Sequence, residues 1–234
     1  MTLLFANNQI STLKTTGGDD FAVGRIFCIG RNYEAHAREM GKDPNREAPF
    51  FFTKWPEAVV NAAPEDKTEI AYPPETANYH HEAELVVAIG VDGFRIAEAD
   101  ANDHIWGYAV GLDMTRRDLQ LQARDKGRPW DTGKNFAQSC PTGRLQPAAE
   151  KGHIERGEIL LTVNGETRQQ ADISDLIWSV PETIAYVSKF YPLRAGDLIF
   201  TGTPAGVGAV VSGDQLDCKI EGLPSLSVRI GGAL

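Results

Sequence analysis

Cysteine is scarce and poorly placed for crosslinking. The chain has three, Cys28, Cys140 and Cys218, an odd number spread widely and with no CxxC pair. That excludes a disulfide framework and a thiolate zinc site, and it fits a reducing compartment. Long apolar runs are missing as well: stretches such as Leu85–Val91 are far too short to span a bilayer. Met1 to Ile10 carries no basic residue ahead of its short apolar patch, so no secretory signal is expected. Positive charge is in deficit, with 23 Lys and Arg against 32 Asp and Glu and a formal net charge of -9. A sequence-independent grip on nucleic acid is excluded on that ground. The expectation is a cytoplasmic protein with neither nucleic acid nor membrane as partner. An acidic chain that binds an anionic small molecule must gather its cations locally, so the clusters of Arg and Lys matter.

What is present suits one sizeable core. The 234 residues are 42% hydrophobic and 24% charged, ordinary for a globular protein. No repeat, low-complexity tract or linker divides them. Residues 1–20 read as a leading arm with a turn at Gly17–Asp20, and 21–234 as a single domain. Strands are predicted at Arg25–Gly30, Pro49–Lys54, Glu82–Val91, Trp106–Asp113 and Gly196–Gly202, with two more between Gln215 and Ile230. Asn164-Gly165 supplies the two positive φ angles of a type I′ turn, so Glu158–Val163 and Glu166–Gln170 read as a hairpin. Helices are predicted over Asn32–Met40, Ala97–Ile105, Thr115–Lys126 and from Ser179 to about Phe190, the last with Pro181 in its first turn. Strands outnumber helices and do not alternate regularly with them, which points to a strand-rich α+β fold.

Glu82 and Glu84 stand at i and i+2 where a strand begins, so both side chains share a face. A bare E-x-E on a strand most often faces water. Here an apolar run follows, and a buried strand seldom carries two unpaired carboxylates on one face. Asp113 ends a second strand-like run and could complete a set of three hard oxygen ligands, which favour Mg2+, Mn2+ or Ca2+ over Zn2+. His80 and His81 lie beside this cluster, and neither is taken as a ligand. Upstream, His36 and Glu39 are spaced i, i+3 on the predicted helix, so the carboxylate could orient the imidazole as a general base. A solvated surface pair is the competing reading. Arg116 and Arg117 follow Asp113 closely enough to put cations beside it. The run Gly127 to Asn135 fails as a P-loop, since five residues separate its glycines and Asn135 stands where Ser or Thr is needed. Gly202-Thr-Pro-Ala-Gly-Val-Gly208 could bring backbone N–H groups to a substrate carboxylate, or be a plain turn.

Five segments in order resemble the fumarylacetoacetate hydrolase family: Gly30-Arg-Asn-Tyr33 with His36 and Glu39, His81-Glu-Ala-Glu84, Gly111-Leu-Asp-Met-Thr115, Lys134-Asn-Phe through Cys140-Pro, and Gly202 to Gly208. The match runs from about residue 20 onward. Glu39 to Arg46 with Pro49 to Lys54 looks most like the fumarylpyruvate-cleaving bacterial members. The resemblance implies a mixed β-sandwich roll of that family's C-terminal-domain type, and a homodimer. It makes Glu82, Glu84 and Asp113 ligands of Mg2+ or Mn2+, and His36 and Glu39 a water-activating dyad. It places Gln120 and Lys134 where substrate and developing negative charge are held, with Arg31, Arg117 and Thr203 in substrate-binding segments. Arg116 departs from relatives with a small residue there. The implied reaction is metal-dependent hydrolysis of a C–C bond in a 2,4-dioxo acid, foremost fumarylpyruvate to fumarate and pyruvate in aromatic breakdown. Oxaloacetate decarboxylation and isomerisation of 2-hydroxyhepta-2,4-diene-1,7-dioate use related chemistry, and a non-catalytic binding protein is the reading from another class.

Overall fold

In the computed structural model, residues 10–34 and 47–233 are described. Two curled sheets carry the core. The larger has eight strands and runs Phe50–Lys54, Ile26–Gly30, Leu198–Phe200, Ala83–Ile89, Ile105–Leu112, Cys140–Thr142 and Val59–Asn61, with Gln146–Pro147 attached to Ile105–Leu112. It is mixed: Leu198–Phe200 pairs parallel with Ile26–Gly30, and Cys140–Thr142 parallel with Val59–Asn61. The smaller has five strands, ordered Glu166–Asp172, Glu158–Val163, Gln215–Ile220, Leu226–Ala233 and Thr68–Tyr72. A three-stranded ribbon of Thr115–Arg116, Tyr79–His81 and Gly208–Val210 closes one end. This is the strand-rich α+β roll expected from the sequence.

The strand Ala83–Ile89 is buried along its whole length, and the pleat divides its side chains between two clusters. Leu85, Val87 and Ile89 join the main core, with Ile159, Leu161, Leu216 and Val228 of the smaller sheet. Val86 and Ala88 face the other way, against Cys28, Ala109, Cys140 and Phe200. Apolar burial on both faces explains why this segment reads as a continuous hydrophobic run rather than an alternating one. The cysteines are free and buried, as their spacing implies, and burial pushes the Cys140 thiol up to about 12.

The predicted hairpin forms, with Asn164 at φ 52 and Gly165 at φ 82. Ser179 caps the helix Val180–Val187 through Glu182, with Pro181 in the first turn. That helix stops three residues before the expected Phe190. The Ser188 hydroxyl there donates to Ala185 O and accepts from Ile96 N, tying the helix end to another segment. Residues Glu98–His104 form a 3-10 helix rather than an α-helix, in keeping with Asp100, Asn102 and Asp103, whose short polar side chains compete with helical backbone bonds. The leading segment also contributes a two-stranded ribbon, Thr12–Lys14 with Asp20–Ala22, whose Leu13 is fully buried. Of the predicted helix at Asn32–Met40, the stretch 35–40 lies outside the described residues. No helix among the described residues is long and apolar enough to cross a membrane.

Candidate metal and substrate site

Strand register assembles the carboxylates. Ala83–Ile89 and Ile105–Leu112 are antiparallel, with Ala83 opposite Leu112 and Glu84 opposite Gly111. The ladder continues one step further, where Asp113 N donates to Glu82 O at 2.8 Å. Glu82, Glu84 and Asp113 therefore share one face, the face that carries Val86 and Ala109 deeper in the sheet. Gly111 leaves the room: a Cβ there would come within 2.4 Å of Val86 Cγ2 and 2.7 Å of Phe200 Cε1. One oxygen from each of the three carboxylates falls within 4.8 Å of the others, and all three residues are buried. That spread suits a single hard cation bonded to each oxygen at about 2.0–2.6 Å.

Three cations surround the carboxylates. Lys134, from the short helix Asp131–Lys134, donates to Glu82 Oε2, Asp113 Oδ2 and Thr115 Oγ1, each at 2.7 Å. Arg117, at the start of the helix Arg117–Asp125, donates to Glu82 Oε1 and to Gln120 Oε1. Lys54 ends the strand Phe50–Lys54 with its side chain fully buried. Its ammonium donates to Met114 O and Ser139 O at 3.1 Å each and lies 2.8 Å from Asp113 Oδ1. The last contact is an ion pair rather than an aligned hydrogen bond, since Asp113 Oδ1 has no well-directed donor. Lys54 was not singled out from the sequence, because a lysine closing a strand ordinarily reaches solvent.

Glu84 has no ion-pair partner among the described residues. Its Oε2 accepts from Gly202 N at 2.8 Å. Burial first, and then Asp113 and Glu82, raise its carboxyl well above the usual range. Three carboxylates crowded in low dielectric with one lacking a counter-ion fit a divalent cation, and an all-oxygen donor set without thiolate suits Mg2+ or Mn2+. His80 is held near 4 by burial and by Arg117, with Nε2 on Asn78 Oδ1. His81 contacts Gln169 through Nδ1 at 3.0 Å. Neither histidine belongs to the carboxylate group.

Gly202 shows what the Gly-rich loop does. Its φ is +100°, and a Cβ would sit 2.7 Å from Asn32 Cβ, so only glycine fits. Its N–H is spent on Glu84 rather than offered to a substrate. Asn32 is the loop's anchor, with Nδ2 donating to Thr201 O and Trp178 O and Oδ1 accepting from Trp178 N. Asn32 was not singled out from the sequence.

A cavity opens over the carboxylates, and Gln120, Thr203, Arg31, Phe50, Phe52 and Trp130 are among its walls. Of the expected site residues, Glu82, Glu84, Asp113, Lys134, Gln120, Arg117, Thr203 and Arg31 all line it. Arg31 has an unusual backbone, φ 57, and its guanidinium stands 5.2 Å from the Phe50 ring centroid. Arg124 also reaches the cavity but is paired with Asp125, and Arg128 lies on its outer extension. Arg116 is directed away, stacked 4.3 Å from the Phe136 ring centroid. Trp55 is exposed and does not line the cavity. His36 and Glu39 lie outside the described residues.

Comparison with known proteins agrees with this geometry. The family model described as fumarylacetoacetate (FAA) hydrolase C-terminal matches residues 25–231. Fumarylpyruvate hydrolase of Ralstonia sp is 51% identical over 196 residues, covering 83% of this chain and 100% of that protein. Mitochondrial oxaloacetate tautomerase FAHD1 of Homo sapiens is 42% identical over 205 residues, covering 88% of this chain and 90% of that protein. The crystal structure of fumarylpyruvate hydrolase from Pseudomonas aeruginosa in complex with Mn2+ and pyruvate superposes with a TM-score of 0.96 at 55% identity, covering 98% of this chain and 99% of that one. Matched by that family model over residues 25–231 and 51% identical to a relative covered in full, the chain belongs to the fumarylacetoacetate hydrolase family.

Proposed function

We propose that this protein hydrolyses the C–C bond of an acylpyruvate, foremost fumarylpyruvate to fumarate and pyruvate, using Mg2+ or Mn2+ held by Glu82, Glu84 and Asp113. The observation that carries it is the convergence of those carboxylates with Lys134 and Gln120 in one cavity. Relatives over 40% identical name two reactions of 2-oxo acids, and the Pseudomonas aeruginosa structure pairs Mn2+ with pyruvate.

A divalent ion at this site supplies Lewis-acid polarisation to the 2-oxo acid it chelates. The chain does the rest. Lys54, Lys134 and Arg117 pair with Asp113 and Glu82, so among the described residues a divalent ion would meet one carboxylate without an ion pair, Glu84, and keep part of its charge to attract an anionic substrate. Gln120 gives its Oε1 to Arg117 Nη1, so its Nε2 hydrogens are the ones it can offer the cavity. There they would stabilise the oxyanion formed when water attacks the C4 carbonyl. His36, oriented by Glu39, would take the proton from that water. Cleavage of C3–C4 then releases fumarate and leaves the electron pair on the pyruvate enolate, which takes up a proton at C3. Arg31 would meet the distal carboxylate of the acyl group: it has no hydrogen bond or ion pair among the described residues, and Phe50, Phe52 and Trp130 flank it with flat apolar walls. The same reading makes the protein a cytoplasmic homodimer acting in aromatic catabolism.

Oxaloacetate tautomerisation is the second reading, favoured by the human relative. It needs the same chelated 2-oxo acid but no attacking water. Product analysis by mass spectrometry in 18O-water separates the two. Hydrolysis puts one 18O into the fumarate carboxylate and yields equimolar pyruvate. Oxaloacetate turnover with fumarylpyruvate left intact would reject the hydrolase assignment.

A further inference from the structure

The strand Glu166–Asp172 is mostly exposed, yet Gln169 within it is fully buried. A bulge aims it inward. Leu161 pairs with Gln169 and the next residue, Thr162, pairs with Thr167, so Arg168 is the extra residue. The Gly-rich loop is seated on that bulge: a Cβ on Gly206 would fall 2.0 Å from Arg168 O. The smaller sheet thus sends one side chain, from a different layer, to Thr203, which lines the cavity.

The orientation of the Gln169 amide follows from its partners. Oε1 accepts from Ala83 N at 3.0 Å, and Nε2 donates to Pro204 O at 2.9 Å. A main-chain N–H can only donate and a proline carbonyl can only accept, so the amide cannot be flipped. Its second Nε2 hydrogen therefore goes to Thr203 Oγ1 at 2.7 Å, and Thr203 is the acceptor. The Thr203 hydroxyl keeps its own hydrogen. Thr203 is 3% exposed, lines the cavity beside the three carboxylates, and finds no acceptor for that hydrogen among the described residues. A buried O–H without an acceptor is costly, and an anionic oxygen arriving in the cavity would relieve it with a charge-assisted bond.

We propose that Gln169 is a positioning residue that makes Thr203 an obligate hydrogen-bond donor to a carboxylate oxygen of the bound 2-oxo acid. The proposal rests on the acylpyruvate reading of the site. The same amide holds the main chain at Ala83, between Glu82 and Glu84, so one side chain sets the substrate loop against the strand that carries the metal ligands.

The test measures pyruvate affinity by calorimetry on Mn2+-loaded protein and Mn2+ affinity separately by electron paramagnetic resonance. Four proteins are compared with wild type: Gln169→Glu, Gln169→Met, Thr203→Val and the Gln169→Met/Thr203→Val double variant. Gln169→Glu keeps size but presents an acceptor to Thr203, which turns the hydroxyl hydrogen inward. Each single change is expected to weaken pyruvate binding by about tenfold or more. Mn2+ affinity should stay within about twofold in Thr203→Val and in Gln169→Glu, which keeps an oxygen for Ala83 N, and the double variant should bind pyruvate no more weakly than Gln169→Met or Thr203→Val, whichever is weaker. Unchanged pyruvate affinity in a folded Gln169→Glu protein overturns the proposal, and so do losses that multiply in the double variant. Should the Gln169 variants not fold, wild-type protein with Mg2+ supplies the answer by NMR. The Gln169 side-chain amide signal, assigned through its contact with the Thr203 methyl, should shift when pyruvate is added, and should not shift in Thr203→Val. A signal that pyruvate leaves unmoved in wild type also overturns the proposal. Wild type that binds metal but no pyruvate removes the acylpyruvate reading as well, whereas pyruvate binding with indifferent variants removes this proposal alone.

Discussion

Replacing Lys54 with Met leaves a chain of similar length and removes one buried ammonium. Three groups lose a partner: Met114 O, Ser139 O and Asp113 Oδ1. Ser139 O keeps Met114 N as a donor, so among the described residues Met114 O is the carbonyl left without one, at a cost of about 1–3 kcal/mol. Asp113 retains Lys134 on its other oxygen, so it is not left wholly uncompensated. Burying a methionine in place of the charge recovers part of the loss. The net expectation for metal-free protein is about 3–5 kcal/mol, the range for breaking a buried pair from one side. Against a total stability of about 5–15 kcal/mol, the variant should fold but melt early. Urea unfolding in EDTA reads this directly. Added Mn2+ at about 100 times its Kd should return up to about 2.7 kcal/mol in either protein. Lys54 is inaccessible to solvent, so the loss should also be nearly independent of salt. A loss under about 1 kcal/mol in EDTA would refute the view that Lys54 neutralises Asp113 inside the core.

Two further outcomes follow from the site. Glu84 has a raised pKa in metal-free protein, so between the ordinary glutamate value and the raised one the folded state holds a proton that the unfolded state has lost. Metal-free stability should therefore fall as pH rises through that window, while the gain in Tm from Mn2+, which needs the carboxylate, should grow. Thermal melts with and without Mn2+ across pH check this, and a gain that shrinks with rising pH would contradict it. Arg31→Met should lower kcat/KM for fumarylpyruvate by about tenfold or more while sparing acetylpyruvate, which lacks the distal carboxylate. Equal losses on both substrates would move Arg31 from acyl recognition to a general role.

The carboxylate cluster was legible because period-two geometry is local: Glu82 and Glu84 share a face whatever the sheet does, and Asp113 ends the run that pairs with theirs. The cations were legible only in part. Arg117 and Lys134 follow Asp113 in the chain and could be placed near it. Lys54 reaches Asp113 through strand order across the sheet, which no local pattern encodes. Gln169 was hidden for a further reason. Alternation along Glu166–Asp172 does not foretell which residue a bulge turns inward, and the bulge sits in a hairpin whose turn alone was readable. The 3-10 helix Glu98–His104 shows the limit of composition, where local polar side chains outweighed average helical preference.

Fumarylpyruvate turnover, followed in one protein preparation with Mn2+ and again after EDTA, bears most directly on the carboxylate site. Pyruvate and fumarate should form in equal amounts with Mn2+, stop forming in EDTA, and resume when Mn2+ is restored in excess. Undiminished turnover in EDTA, with Glu84→Gln as active as wild type, would contradict the assignment of Glu82, Glu84 and Asp113 as the metal ligands of a hydrolase.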